Sequence, residues 1–300
     1  MDKLMKYKIW YLVFSAAVLL PGIIALFMFG LNMSIDFTGG SVFRYQFESD
    51  VNTEELAKIY SEKGIEVEAV VPESGTKYSI RTKPVEAQRN DEIKEAVSAV
   101  FPNASQLSFE TVGPSIGAET TRSAFIALGW AMIGITLYIA FAFRNVPKPY
   151  SSFRFGVSAV VSMIHDAFVL IGLFAILGHF FKVEVDGLFI TAVLTVLGFS
   201  VHDTIVVFDR IRENLGKLPR SMSFEDVANY SLAETLSRSV ATSLTVIFTL
   251  TALYVLGGET IKMFVLAMLV GIISGTYSSI FTATPVLVLW ENAASKKKYK

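Results

Sequence analysis

Long apolar blocks alternate with polar, charged stretches along the chain. Ile9–Gly30 is the first block, long enough to span a hydrocarbon core of about 30 Å. Ala124–Phe143, Phe155–Leu177, Gly187–Phe208, Val240–Leu256 and Met263–Trp290 follow. The fifth is short and borrows polar residues at its start. A signal peptide at the N-terminus would need an apolar region of only about 7–15 residues with a small-residue cleavage site after it. The first block is too long for that and reads as a retained helix. The pattern predicts a multi-pass α-helical membrane protein with six spans.

Between the first two spans, residues 31–122 read as one α+β domain. Ser41–Phe47 alternates as a strand does, Thr53–Lys63 is helical with Thr53 as its cap, and Glu66–Val71 and Lys77–Thr82 are strands around a Pro72/Gly75 turn. Val85–Phe101 is helical and stops before Pro102, and Ser105–Val112 is the last strand. The order β-α-β-β-α-β is the split βαβ, ferredoxin-like arrangement. That fold alone carries no function.

Lysine and arginine in the short flanks set the orientation. Lys3, Lys6 and Lys8 precede the first span. Arg144, Lys148 and Arg154 lie between the second and third, and Arg210, Arg212, Lys217 and Arg220 follow the fourth. Lys296, Lys297, Lys298 and Lys300 end the chain. The opposite short loops hold little beyond Lys182 and Lys262. Residues 1–8 and the basic tail 293–300 are therefore expected in the cytoplasm, with 31–122 outside and spans two to six within 123–292. A net charge of -1 gives no basic field for nucleic acid. The absence of cysteine excludes disulfides, thiolate metal sites and cysteine nucleophiles.

Ionisable groups inside spans are the candidate chemistry, because a charge at mid-helix costs about 2.5–3.5 kcal/mol on insertion scales. The third span holds His165 and Asp166, the fourth His202 and Asp203, and the fifth opens with Arg238. These three helices are expected to face one another. Asp203 lies seven residues before Arg210, about 10 Å from the edge, a depth that Arg238 can reach as an ion-pair partner. Arg238, Thr242, Thr245 and Thr249 form a polar stripe on one helical face. A carboxylate held between desolvation, which favours the neutral form, and a guanidinium, which favours the charged one, can load and release a proton. The plainer reading is that these charges only clamp helices or anchor an edge. The two His–Asp pairs do not read as a metal site: no H-E-x-x-H occurs, and adjacent side chains point apart on a helix. No G-x-S-x-G or phosphate loop occurs either, so no enzyme, cofactor or metal is expected.

Glycines mark the crossings into and out of the α+β domain. Gly39 and Gly40 follow Asp36, which can cap or turn the chain locally, and Gly113 and Pro114 mark the return. Each crossing is either a rigid corner or a moving hinge. Gly271 and Gly275 form a G-x-x-x-G in the sixth span, which permits close helix packing.

Taken in order, Ile35-Asp-Phe-Thr-Gly-Gly40, Val112-Gly-Pro-Ser-Ile-Gly-Ala-Glu119, His165-Asp166, Leu194-Thr-Val-Leu-Gly-Phe-Ser-Val-His-Asp-Thr-Ile-Val-Val-Phe-Asp-Arg-Ile-Arg-Glu-Asn214 and Thr235-Leu-Ser-Arg-Ser239 resemble the SecD/SecF family on its SecF side. The resemblance covers nearly the whole chain. It implies a proton-driven subunit of bacterial protein export, in the resistance-nodulation-division superfamily. SecD, the SecYEG channel and a translocating preprotein are the implied partners, in the bacterial plasma membrane. The family's proton-site aspartate falls on Asp203 and its companion arginine on Arg238, while a further aspartate usually comes from SecD. Ser34, Phe199 and His202 stand where the family usually has Gly, Tyr and Asn. A stand-alone proton-coupled exporter of lipids or small molecules is the alternative, although such exporters usually contain two six-span halves.

Overall fold

The computed structural model describes residues 4–73, 75–219 and 221–298, with the side chains of 296–298 excepted. Lys3, Arg220 and Lys300 of the basic flanks, and the side chains of Lys296, Lys297 and Lys298, lie outside the described residues. The chain divides into two compact units: a helical one of residues 1–31, 127–183 and 188–300, and a sheet unit of residues 32–126 and 184–187.

The long helices are α1 (Lys8–Phe29), α5 (Pro114–Ala142), α6 (Ser152–Phe181), α7 (Gly187–Lys217), α8 (Phe224–Leu256) and α9 (Glu259–Ser278). The last continues through a π-helical stretch, Ser279–Ala283, into α10 (Thr284–Lys298). Pro285 accounts for the wide turn: it lacks an amide donor, and its ring crowds the preceding carbonyls. Six helical segments among the described residues are long and apolar enough to cross a membrane. Each runs past the apolar block that predicts it. The fifth shows the largest difference, because α8 begins at Phe224, capped by the Ser223 hydroxyl, rather than near Val240.

Small residues let the helices close on one another. A Cβ at Gly172 of α6 would lie 2.6 Å from the Gly22 Cα of α1, a backbone-to-backbone approach. The G-x-x-x-G works as expected: a Cβ at Gly271 or Gly275 of α9 would strike Val196 or Ser200 of α7. Charged residues tie the helix ends. Glu225 takes Lys8 at 2.7 Å, the buried Glu291 takes Arg154 at 2.8 Å, and Arg210 of α7 grips Glu234 of α8 through two bonds of 2.7 and 2.8 Å.

The sheet unit has the expected element order, now as β1 (Gly40–Gln46), α3 (Thr53–Glu62), β2 (Val67–Pro72), β3 (Lys77–Thr82), α4 (Asn90–Val100) and β4 (Ser105–Val112). The sheet order is β2-β3-β1-β4, antiparallel throughout. Phe43 pairs with Ile80 and Phe109, and joins Tyr45, Leu56, Tyr60, Ile93 and Val97 in one core under α3 and α4. Two local readings change. Asn52, not Thr53, caps α3, its side chain accepting from the Glu54 amide at 2.9 Å. The stretch from Val85 is not one helix: a 3-10 turn, Ala87–Arg89, precedes α4. A short helical turn, α2 (Ile35–Thr38), lies ahead of the sheet.

Candidate functional site

Asp203 sits on α7, buried, where Ser239 of α8 and His202 are its electrostatic neighbours. Its Oδ2 and the Ser239 hydroxyl each lack a hydrogen-bond partner among the described residues. His202 itself is exposed, on the other face of the helix.

Arg238 departs from expectation. It is exposed on α8 and makes no ion pair among the described residues, so it does not meet Asp203. Asp203 and Ser239 are both buried, and Arg238, one residue earlier on α8, turns away. The polar stripe goes with it. Thr242, Thr245 and Thr249 are exposed, and each hydroxyl donates to a carbonyl of its own helix. These bonds satisfy the hydroxyls without a neighbour, whereas the guanidinium is left to find a partner elsewhere.

Asp166 is fully buried, and it is the better-furnished carboxylate. Its Oδ2 accepts from Ser200 of α7 and Ser278 of α9, both at 2.5 Å, and its Oδ1 accepts from Ser274 of α9 at 2.7 Å. His165 Nδ1 lies 3.1 Å from Oδ1, so these adjacent side chains converge instead of pointing apart. The His165 Nε2 is buried without a partner. Ser162 extends the network by donating to Ser278 at 3.0 Å. The helices that meet at this carboxylate are α6, α7 and α9, not α6, α7 and α8. The serines went unassigned in the sequence. The signal was present in their spacing: Ser158, Ser162 and Asp166 repeat every four residues, as do Ser274 and Ser278. Among the described residues no group of three or more His, Cys, Asp and Glu is placed to hold a metal.

The Gly39–Gly40 crossing is a packed corner. Gly39 has φ +73°, and a Cβ there would lie 3.0 Å from the Pro114 Cα. Gly40 has φ +128°, with the Thr82 carbonyl oxygen 2.9 Å from its Cβ position. Gly113 has open space beside it. Asp36 does more than turn the chain locally. Its amide donates to the Ser34 hydroxyl at 3.2 Å, and its Oδ2 accepts from the amide of Gly187, the first residue of α7, at 3.0 Å. The serine at position 34 thus serves as the cap of α2. Phe199 packs beside Leu250, Val265 and Ile272.

Residues 92–293 match the family model of the protein export membrane protein SecD/SecF C-terminal region, and residues 24–51 match the SecD/SecF GG motif. The chain belongs to the SecD/SecF family. The protein translocase subunit SecF of Thermobaculum terrenum is 47% identical over 97% of this chain and 95% of its own length. The SecF of Anaerolinea thermophila is 40% identical over 95% of this chain and 93% of its own. The crystal structure of SecDF, a translocon-associated membrane protein from Thermus thermophilus, superposes with a TM-score of 0.81 at 35% identity. The match covers 96% of this chain but 38% of that longer one. Within this SecD/SecF frame the chain is a multi-pass membrane protein of six apolar helical spans and one antiparallel sheet unit.

Proposed function

We propose that the chain is the SecF subunit of a bacterial protein translocase, a non-enzymatic part that works with SecD and the SecYEG channel. Proton flow through its spans promotes preprotein movement and release on the outer side. The observation that carries the proton role is Asp203: a carboxylate buried in a membrane span beside the Ser239 hydroxyl, with its Oδ2 outside hydrogen-bond geometry to any partner among the described residues. A carboxylate at that depth costs about 2.5–3.5 kcal/mol on insertion scales, and a function accounts for its being kept.

Arg238 supports a partner in the membrane. Its guanidinium is exposed on α8 with no ion pair among the described residues, and a carboxylate of a neighbouring chain would satisfy it. SecDF relatives carry the matching region within a longer chain, consistent with a SecD half beside it. In this reading Arg238 pairs with a SecD aspartate and reaches Asp203 only in part of the cycle. His202 borders the same route, and Asp166 holds α6, α7 and α9 around it. A stand-alone exporter is disfavoured by near-full-length likeness to translocase subunits.

The protein is placed in the plasma membrane with both termini cytoplasmic and residues 31–122 outside, on the lysine and arginine bias. The packed Gly39–Gly40 corner favours motion of that domain as a rigid body rather than a pivot at those glycines. Reporter fusions at Lys217 and Lys77 should mark opposite compartments. Affinity isolation of the chain from its own membranes should bring SecD and SecYEG with it. Isolation of the chain alone from gently solubilised membranes would overturn the proposal.

A further inference from the structure

The connection between α6 and α7 is residues 182–186, and Glu184–Gly187, from within it to the first residue of α7, belongs to the sheet unit. Nothing in their sequence announces this. The attachment is made by backbone first. Ser34 donates its amide to the Val185 carbonyl at 2.9 Å, and Val185 donates its own to the Asn32 carbonyl at 2.7 Å, a parallel bridge of Met33 with Val185. Val185 is fully buried there.

Arg81, at the end of β3, clamps the same segment. Its Nη1 donates to the Met33 carbonyl at 3.0 Å and to Glu184 Oε1 at 3.3 Å, its Nη2 donates to Thr38 Oγ1 at 2.6 Å, and its Nε lies 3.4 Å from Glu68 Oε2. A planar guanidinium can hold four such groups at once, and a lysine cannot. Asp36 completes the attachment by accepting from the Gly187 amide at the start of α7. The same α2 corner receives α5, since a Cβ at Gly117 would lie 2.7 Å from the Gly39 nitrogen, and Thr121 donates to the Phe37 carbonyl at 3.2 Å.

We infer that Arg81 and Asp36 are positioning residues that make Glu184–Gly187 a strut, delivering movement of the sheet unit to α7, the helix that carries Asp203. Coupling needs a continuous physical connection with little slack. Here it runs from β3 through a four-way guanidinium contact to a buried bridge, and on without a break into α7. The α2 corner, packed through Gly39 and Gly117, ties the start of α5 to the same point. A shift of the sheet unit would therefore reach two spans together. This inference rests on the proposed proton role of Asp203.

The chain has no cysteine, so an introduced pair is unambiguous within it. Met33 and Val185 are bridge partners, and adjacent strands lie about 4.8 Å apart, within disulfide reach. Proton-dependent export is measured with the full complex in membrane vesicles. Arg81→Ala should lower it at least about fivefold, the lower end of ordinary coupling between sites. Asp36→Ala should do the same. Adding Met33→Cys and Val185→Cys to Arg81→Ala should restore export under oxidation, and a reductant should remove it again. That reversal separates a strut from a general loss of fold. Parent-like export by Arg81→Ala overturns the inference, as does an oxidised triple variant no better than its reduced form. Asp203→Asn in the same vesicles separates the two readings, since normal export there refutes the proton role whatever Arg81→Ala does.

Discussion

Replacing Asp166 by Asn and by Leu should have sharply different effects, and the geometry orders them. With Leu, the hydroxyls of Ser200, Ser274 and Ser278 lose their acceptor together. Ser278 can fall back on the Gly275 carbonyl, already 3.2 Å away, and the other two have no second acceptor of that kind. Hydrogen bonds between membrane helices are worth about 0.6 kcal/mol on average and up to about 1.7. Three such bonds lost together put the cost of Leu at about 2–5 kcal/mol. Asn keeps one oxygen, which can still accept from Ser200 and Ser278. Its amide then faces Ser274 and His165, and both can turn to accept. The cost of Asn should stay near 1 kcal/mol. Thermal unfolding of the purified protein in detergent, followed by tryptophan fluorescence, measures both. Equal destabilisation by Asn and Leu, or none by Leu, would refute the reasoning. The same Asn variant in export assays decides whether Asp166 also titrates. A helix clasp predicts near-normal export, and a proton carrier predicts its loss.

Gly172→Ala should force α6 and α1 apart by about 1 Å, because its Cβ would sit 2.6 Å from Gly22 Cα, and cost about 1–3 kcal/mol. A melting temperature equal to the parent's would show that the contact yields freely. Burial holds the Glu184 carboxyl above its ordinary 4.5, although the nearby Arg81 guanidinium opposes this. A raised folded pKa means stability that is complete below the unfolded value and is lost as pH rises through the folded one. Unfolding midpoints should therefore fall as pH climbs from about 4.5, and Glu184→Gln should flatten that slope. Asn52→Ala should remove the cap of α3 and cost about 1 kcal/mol, read by local hydrogen exchange over residues 53–62, with no change refuting it.

The large features were legible because they rest on local rules. Apolar length marks the spans, period-two alternation marks β1 and β3, and the glycine pair at 271 and 275 marks the α7–α9 contact. What escaped depends on partners far apart in the chain. Arg81 and Glu184 are separated by more than a hundred residues, and no local pattern links them. The serine cradle of Asp166 draws on two other helices, α7 and α9, and a serine in a span is too cheap to stand out as a charge does. Arg238 was legible as a charge at the right depth but not in its direction. Helical spacing places it next to Ser239, and one residue on a helix is a turn of about 100°. That turn is enough to put Ser239 in the bundle beside Asp203 and Arg238 outside it.

The central claim is that protons pass at Asp203. Asp203→Asn keeps the shape and the hydrogen bonding of the side chain and removes its titration. Export by vesicles carrying the full complex, measured with and without an imposed proton gradient, tests the claim most directly. The variant should fold, associate with SecD and retain gradient-independent export, while the gradient-dependent part disappears. Undiminished gradient-driven export by a well-folded Asp203→Asn protein would contradict the account.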